Sequence, residues 1–399
     1  MSGVMEEAER HWALGISVDK NTSFCANHFN NKDIQKYIRK NSYDGHCDYC
    51  SKDKKVIDLD DFMEFYMEIV TQFYTDAGNF MSYNGREGGY LGEILEPYEL
   101  YEEFNPEADC ELEQDIINSI DNKAWACEHE HYGTSDKDIL NYNWEYFKYI
   151  IKHKARYLFY NTKTFQDDYY KFYAHSILKQ VSSGVKKLKL LTVLPANMVF
   201  YRCRQHERKI VIQDAKDITA PPTEIATYPN RMSPAGISMF YGAIEEKTAL
   251  LEVVDTEDKE KTYVTSVIFR NKESINLIDF TKLPLLNPFN SKQLKDYYLI
   301  SFLQDFIRDL SKPIQHDNKM HIEYVPTQVL TEFFRYIHPD HKIRVDGIIY
   351  PSSKDCKGKA IVLFMDHKES LEKLSFEKSS LNRVKIDPNK YKLFPKKRI

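Results

Sequence analysis

The stretch RMSPAGISMFYGAIEEKTALLE, residues 231–252, decides the reading of this chain. It opens as a loop, runs into a strand over Ser238–Ala243, and continues as a short helix over 245–254. Glu252 sits among Ala249, Leu250, Leu251, Val253 and Val254. Burying an unpaired carboxylate in such company is costly, so Glu252 is expected to face a cleft or an arginine partner.

Further β-like runs flank this stretch at Met198–Arg202, Tyr263–Phe269, Gly347–Tyr350 and Ala360–Phe364. Helical patterns fall at 291–310 and 326–337. The alternation gives a mixed α/β or α+β domain over residues 191–399. Ser352 ends a β-like run, where loops often carry function. The tail KYKLFPKKRI, 390–399, is basic and is expected to be exposed.

Residues 56–190 are helical in pattern. Leu59, Phe62, Met63, Tyr66, Ile69, Val70 and Phe73 form one face of a helix, and Asp58, Asp60 and Asp61 favour its N-terminal end. Further helices are expected near 112–126, 143–160 and 169–187. The stripe Trp144, Phe147, Ile151 and Tyr157 reads as core. Asn84-Gly-Arg-Glu-Gly-Gly-Tyr90 reads as a turn, too weak for a phosphate loop. Glu128-His-Glu-His131 alternates, so its side chains do not share a helical face, and it reads as solvated surface.

Residues 1–55 hold Cys25-x2-His28, eighteen residues, then Cys47-x2-Cys50. Two such pairs on tight turns supply four soft or imidazole ligands, as a small zinc module needs. All four positions are filled, so the zinc is expected to be structural, and its removal is expected to unfold the segment.

Composition narrows the function classes. The 399 residues exceed one ordinary domain, and 42% hydrophobic with 29% charged residues is globular. A net charge of -5 argues against a dedicated nucleic-acid binder. No long apolar run occurs and the mean hydropathy is -0.56, so no membrane span is expected. The N-terminus MSGVMEEAER is acidic and no apolar region follows, so no signal peptide is expected. Seven unevenly spread cysteines suit a reducing, cytoplasmic setting. With no G-x-G-x-x-G after a strand and no P-loop, redox use of a dinucleotide is disfavoured.

The ordered elements YRCR (201–204), RMSPAGISMFYGA (231–243), TALLE (248–252), YVPTQ (324–328) and DGIIYPSS (346–353), followed by IVLF (361–364), resemble the RES domain, named for its Arg, Glu and Ser. The resemblance covers about residues 190–370. The N-terminal part, with its C-x2-H…C-x2-C and REGGY pieces, is similar to the HEPN-like helical extension that precedes some RES domains. Arg39 and His46 have the spacing of the HEPN ribonuclease motif but lie inside the zinc module, so no ribonuclease activity is expected.

This resemblance implies an α+β fold with an ADP-ribosyltransferase-like catalytic domain that takes NAD as a consumed substrate. RES proteins are bacterial toxins that cleave NAD by phosphorolysis or hydrolysis, or transfer ADP-ribose. By motif, Arg202 and Arg231 are the two arginines, Tyr241 the strand tyrosine, Glu252 the glutamate and Ser352 the serine. Arg204 and Ser353 are adjacent alternatives. The long Arg202–Arg231 interval, with Pro221-Pro222, departs from the pattern.

The residue types suit that chemistry. Two arginines can grip a diphosphate in bidentate geometry. Nicotinamide leaves neutral, so no strong general acid is needed, and the transition state is oxocarbenium-like. A glutamate about 4 Å from the sugar cation gains roughly 4 kcal/mol gross at an effective dielectric near 20. If all of that appears only in the transition state, it is worth about a thousandfold in rate. Tyr241 would stack on nicotinamide or orient the ribose, and Ser352 would bond a phosphate or the acceptor. The expected setting is a toxin–antitoxin or phage-defence system, with an antitoxin or activating protein as partner and a homo-oligomer among the assemblies. The alternatives are a protein ADP-ribosyltransferase and an inactive RES-like partner-binding protein. Free nicotinamide separates enzyme from binder.

Overall fold

The computed structural model describes residues 2–86, 88–127, 135–160, 166–167, 172–312, 320–337, 343–355 and 357–387. The tail 390–399 and the 128–131 cluster lie outside them. The chain forms two compact units, Met1–Ile139 with Leu285–Tyr298, and Leu140–Pro284 with Leu299–Ile399. The sequence reading expects three segments with boundaries near 55 and 190.

In the first unit, β1 (Ser23–Cys25), β2 (Tyr43–Cys47) and β3 (Lys52–Asp58) form an antiparallel sheet in the order β1-β3-β2. Helix α1 (Lys32–Asn41) starts at Asn31, whose side chain accepts from the Asp33 and Ile34 N–H groups at 3.0 and 3.3 Å. Helix α2 (Leu59–Val70) buries Leu59, Phe62, Met63, Tyr66, Ile69 and Val70, so the expected face is the buried one. The segment that holds Cys25, His28, Cys47 and Cys50 has no separate core. Phe24, Phe29, Ile34, Ile38 and Val56 pack in one cluster with α2 and with Leu112 and Ile116 of α3 (Cys110–Asn118). Phe24 meets Phe62 edge-on at 5.4 Å. Residues 285–298 complete this core with Phe289 and Tyr297.

The second unit is built on an eight-stranded sheet. Its strands are β4 (Leu191–Leu194), β5 (Val199–His206), β6 (Phe240–Ala243), β7 (Tyr263–Asn271), β8 (Ile275–Asp279), β9 (Gly347–Pro351), β10 (Lys359–Leu363) and β11 (Leu374–Lys385). The spatial order is β4-β8-β9-β10-β6-β5-β7-β11. Only the β8–β9 pairing is parallel, so the sheet is mixed and the fold is α+β. Alternation along the strands sorts the apolar side chains between two cores. Ile348 and Val362 join one core with Trp144 and Phe147 of α4 (Asp136–His153), Ile177 and Val181 of α5 (Ser176–Lys187), and Phe302 and Phe306 of the long helix Tyr297–Ser311. Ile349 and Ile361 join the other with Phe200, Phe240 and Phe269. Helices α4 and α5 therefore pack in the same core as the sheet.

The five expected strands correspond to β5, β6, β7, β9 and β10. The helices expected at 245–254, 291–310 and 326–337 correspond to α6 (Glu246–Val253), α7 (Tyr297–Ser311) and α8 (Val325–Tyr336). Strands β4, β8 and β11 are additions. No helix among the described residues is long and apolar enough to cross a membrane.

Candidate functional site

Glu252 lies on α6 and is half-buried. Its partner is not an arginine. Ser352, just past β9, donates to Glu252 Oε1 at 2.5 Å. The same Ser352 oxygen accepts the backbone N–H groups of Lys354 and Asp355 at 3.1 and 3.0 Å. One hydroxyl hydrogen and two lone pairs are therefore all engaged, and the hydroxyl has one orientation available. The bond to Glu252 is made by Ser352 and not by Ser353. Lys354 reaches back over the helix, donating from Nζ to the Glu252 carbonyl at 3.1 Å. Burial lowers the Lys354 pKa, with Glu252 and Asp255 opposing.

Arg231 lies in the loop before β6. Its guanidinium caps the C-terminal end of α7, donating to the Leu310 carbonyl and to the Lys312 carbonyl at 2.9 Å. Its Cζ stands 5.7 Å from the Tyr324 ring centre. The YVPTQ element holds this loop in place. Thr327 donates to the Arg231 carbonyl, and Gln328 Nε2 donates to the Asn230 and Ser233 carbonyls at 2.8 and 3.2 Å.

Arg202 lies on β5 and is tied inward. It donates to the carbonyls of Ile218, Tyr241 and Thr219, the last at 3.1 Å, and its Cζ stands 5.1 Å from the Phe240 ring centre. Burial pushes its pKa down to about 10. These bonds take three of its five N–H groups, whereas Arg231 uses two. Arg204 is exposed and bonds the Asp217 carbonyl. The Pro221-Pro222 loop is tied to the strand region by Ser238, which donates to the Pro221 carbonyl at 2.5 Å. The Tyr241 hydroxyl bonds Ser233 Oγ at 2.9 Å and accepts the Met232 N–H at 3.3 Å. Burial raises the Tyr241 pKa, with Ser233, Met232 and Arg202 opposing.

Electrostatics links these groups. Burial raises the Tyr324 phenol, which Arg231 lowers and Glu252 raises. Burial also raises Tyr350, with Glu252 and Tyr241 adding and Arg231 opposing. The fields of Glu252 and Arg231 thus overlap at two tyrosines, and that of Tyr241 reaches one of them. The arrangement offers an oriented carboxylate, a guanidinium with N–H groups to spare, and aromatic surface, as a cationic sugar joined to a diphosphate requires. Tyr324, Tyr350, Lys354 and Asp355 carry no expected role from sequence. Their one signal is position, inside or directly after the quoted elements.

The second cluster lies in the first unit. One donor atom each from Cys25, His28, Cys47 and Cys50 lies within 4.8 Å of the others. Cys25 and Cys50 sulfurs are 3.9 Å apart, and Cys47 Sγ is 3.3 Å from His28 Nε2. The other imidazole nitrogen, Nδ1, meets Asp109 Oδ2 at 2.5 Å, the outer partner that metal-ligating histidines usually have. Burial pushes the Cys47 thiol up, but hydrogen bonds from Cys50, Cys25 and Tyr49 bring it down to about 6. A thiol so inclined to ionise, among two others and a buried imidazole, fits a metal ion. The stretch 86–90 carries no such chemistry. Its described residues close a short hairpin, Tyr83–Asn84 with Gly89–Tyr90.

The comparison with known families specifies the class of domain to which the mixed sheet belongs. Residues 199–379 match the family described as RES domain, and residues 40–165 match HEPN/RES N-terminal domain 1. No curated protein matches the chain. The chain carries a RES domain behind an HEPN/RES N-terminal domain. The RES domain is associated with NAD-related toxin function.

Proposed function

We propose that the RES unit, with an ADP-ribosyltransferase-like catalytic fold, cleaves the nicotinamide–ribose bond of NAD as a toxin or defence effector. The observation that carries this reading is the 2.5 Å Ser352–Glu252 bond, which joins a serine and a glutamate a hundred residues apart. Glu252 faces the anomeric carbon and stabilises the positive sugar. Ser352 holds that carboxylate in one orientation. Arg231 and Arg202 bind the diphosphate with their remaining N–H groups, and Tyr241 orients the ribose or stacks on nicotinamide. The C–N bond breaks with its electron pair going to nicotinamide, which leaves neutral. The anomeric carbon gains a bond to an oxygen of phosphate or water, and the acceptor's proton passes to solvent. Positioning supplies much of the barrier reduction.

The Cys25, His28, Cys47 and Cys50 set holds zinc in a structural role, since three sulfurs and one imidazole match its tetrahedral preference. The protein acts in the cytoplasm, with an antitoxin or activating protein as its regulator.

Incubation of the purified protein with NAD, with and without phosphate, tests the reading by mass analysis of products. Free nicotinamide with ADP-ribose, or with its anomeric phosphate, is expected. NAD left intact at micromolar enzyme overturns it. ADP-ribose recovered on protein, with little free product, would assign a transferase instead.

A further inference from the structure

Helix α6 meets the turn that follows β9 through two rungs. Thr248 and Glu252 are four residues apart on α6 and share a face. Glu252 receives the Ser352 hydroxyl, and one helical turn away Thr248 Oγ1 donates to Asp355 Oδ2 at 2.9 Å. The turn closes on itself. The Asp355 N–H returns to Ser352 Oγ, the Gly358 N–H donates to the Asp355 carbonyl at 3.0 Å, and the Ser352 N–H to the Gly358 carbonyl at 2.9 Å. Gly358 permits this seating, because a Cβ there would stand 2.3 Å from Thr248 Oγ1. Thr248 and Asp355 are 0% and 8% exposed. The cation nearest this carboxylate, Lys247, is 3.8 Å away and largely exposed. A buried carboxylate is costly without bonded partners, so the Thr248 hydroxyl is a principal support of Asp355.

We propose that the Thr248–Asp355 pair is a positioning device for Glu252 and Ser352, setting the height of the turn along α6 so that the serine hydroxyl meets the carboxylate. Thr248 and Asp355 act through the other rung and touch no reacting atom. The kinetic part of the proposal rests on the NAD-cleaving function above; the structural part does not.

Thr248→Val keeps the side-chain shape and removes the donor, and Thr248→Ser keeps the donor. In Thr248→Val, amide hydrogen exchange at Asp355 and Gly358 is expected to accelerate by about tenfold or more. The kcat for nicotinamide release is expected to fall by about ten- to a hundredfold, as small misplacements do. KM for NAD stays within about twofold, and Thr248→Ser restores both readouts. Asp355→Ala, which removes the acceptor, serves as the second variant if Thr248→Val does not fold, with the same two changes expected. Unchanged exchange and kcat, or a Thr248→Ser protein as impaired as Thr248→Val, overturns the proposal. A wild-type protein that releases no nicotinamide removes the proposed function, and the exchange measurement still decides the two-rung arrangement.

Discussion

The two units hold their polar centres together in opposite ways. Around Glu252 the protein satisfies itself: Ser352 spends its hydrogen on the carboxylate and both lone pairs on backbone N–H groups. Around Cys47 four electron-rich atoms converge within 4.8 Å, and the bond from His28 Nδ1 to Asp109 steadies the imidazole without supplying positive charge at the centre. One centre is held by hydrogen bonds among its own groups. The other gathers donors that could hold a metal ion.

Removing the metal should expose this contrast most strongly. Structural zinc contributes on the order of 10–16 kcal/mol in small zinc peptides. The ligand segment shares its core with α2 and α3, so Cys47→Ser should unfold the first unit as a whole. Metal content together with limited proteolysis of residues 20–120 measures this. A metal-free first unit with full protease resistance would break the comparison. Glu252→Gln comes next, with NAD consumption down by about a thousandfold and the fold intact, as far-ultraviolet circular dichroism should report. Turnover equal to wild type removes Glu252 from the mechanism. Asp109→Asn should weaken metal binding by about ten- to a hundredfold, read by chelator competition.

The smallest effect is a pH dependence in the second unit. Asp309 accepts from Trp144 Nε1 and Lys148 Nζ, both at 2.8 Å. Burial pushes its pKa up, but these partners hold it below the ordinary carboxylate value. A pKa lowered on folding contributes stability above the unfolded pKa, about 4, and loses it as pH falls through the folded value. Asp309→Asn should therefore lower Tm at pH 7 and flatten its decline on acidification. A wild-type and a variant Tm that fall in parallel between pH 6 and 2 would remove Asp309 from this role.

Legibility in the sequence followed distance along the chain. The candidate metal ligands are two local pairs, and a C-x2-H or C-x2-C turn can be read without knowing the fold. Glu252 and Ser352 are a hundred residues apart, and only the resemblance to a family joined them. The apolar face of α2 was readable from its period, whereas β11 was not. Its polar SFEKSSLNRVK stretch pairs with β7 at the sheet edge and buries little, so the hydrophobic signal of a strand is missing. Strands β4 and β8, LTVL and INLID, are four and five residues long, too short for periodicity to choose between helix and strand. The support of Glu252 by Ser352 was missed for a different reason. A carboxylate in an apolar stretch signals that some partner exists, but its identity is set by tertiary packing.

The return of residues 285–298 into the first unit has a consequence for how the chain is made. A ribosome must translate through Tyr298 before the N-terminal unit has its last core aromatics, Phe289 and Tyr297. By then strands β4 to β8 have already been synthesised. The two halves therefore cannot mature strictly one after the other. A truncated RES fragment beginning near residue 190 would carry Phe289 and Tyr297 into water without the surface that normally receives them, and it should be prone to self-association.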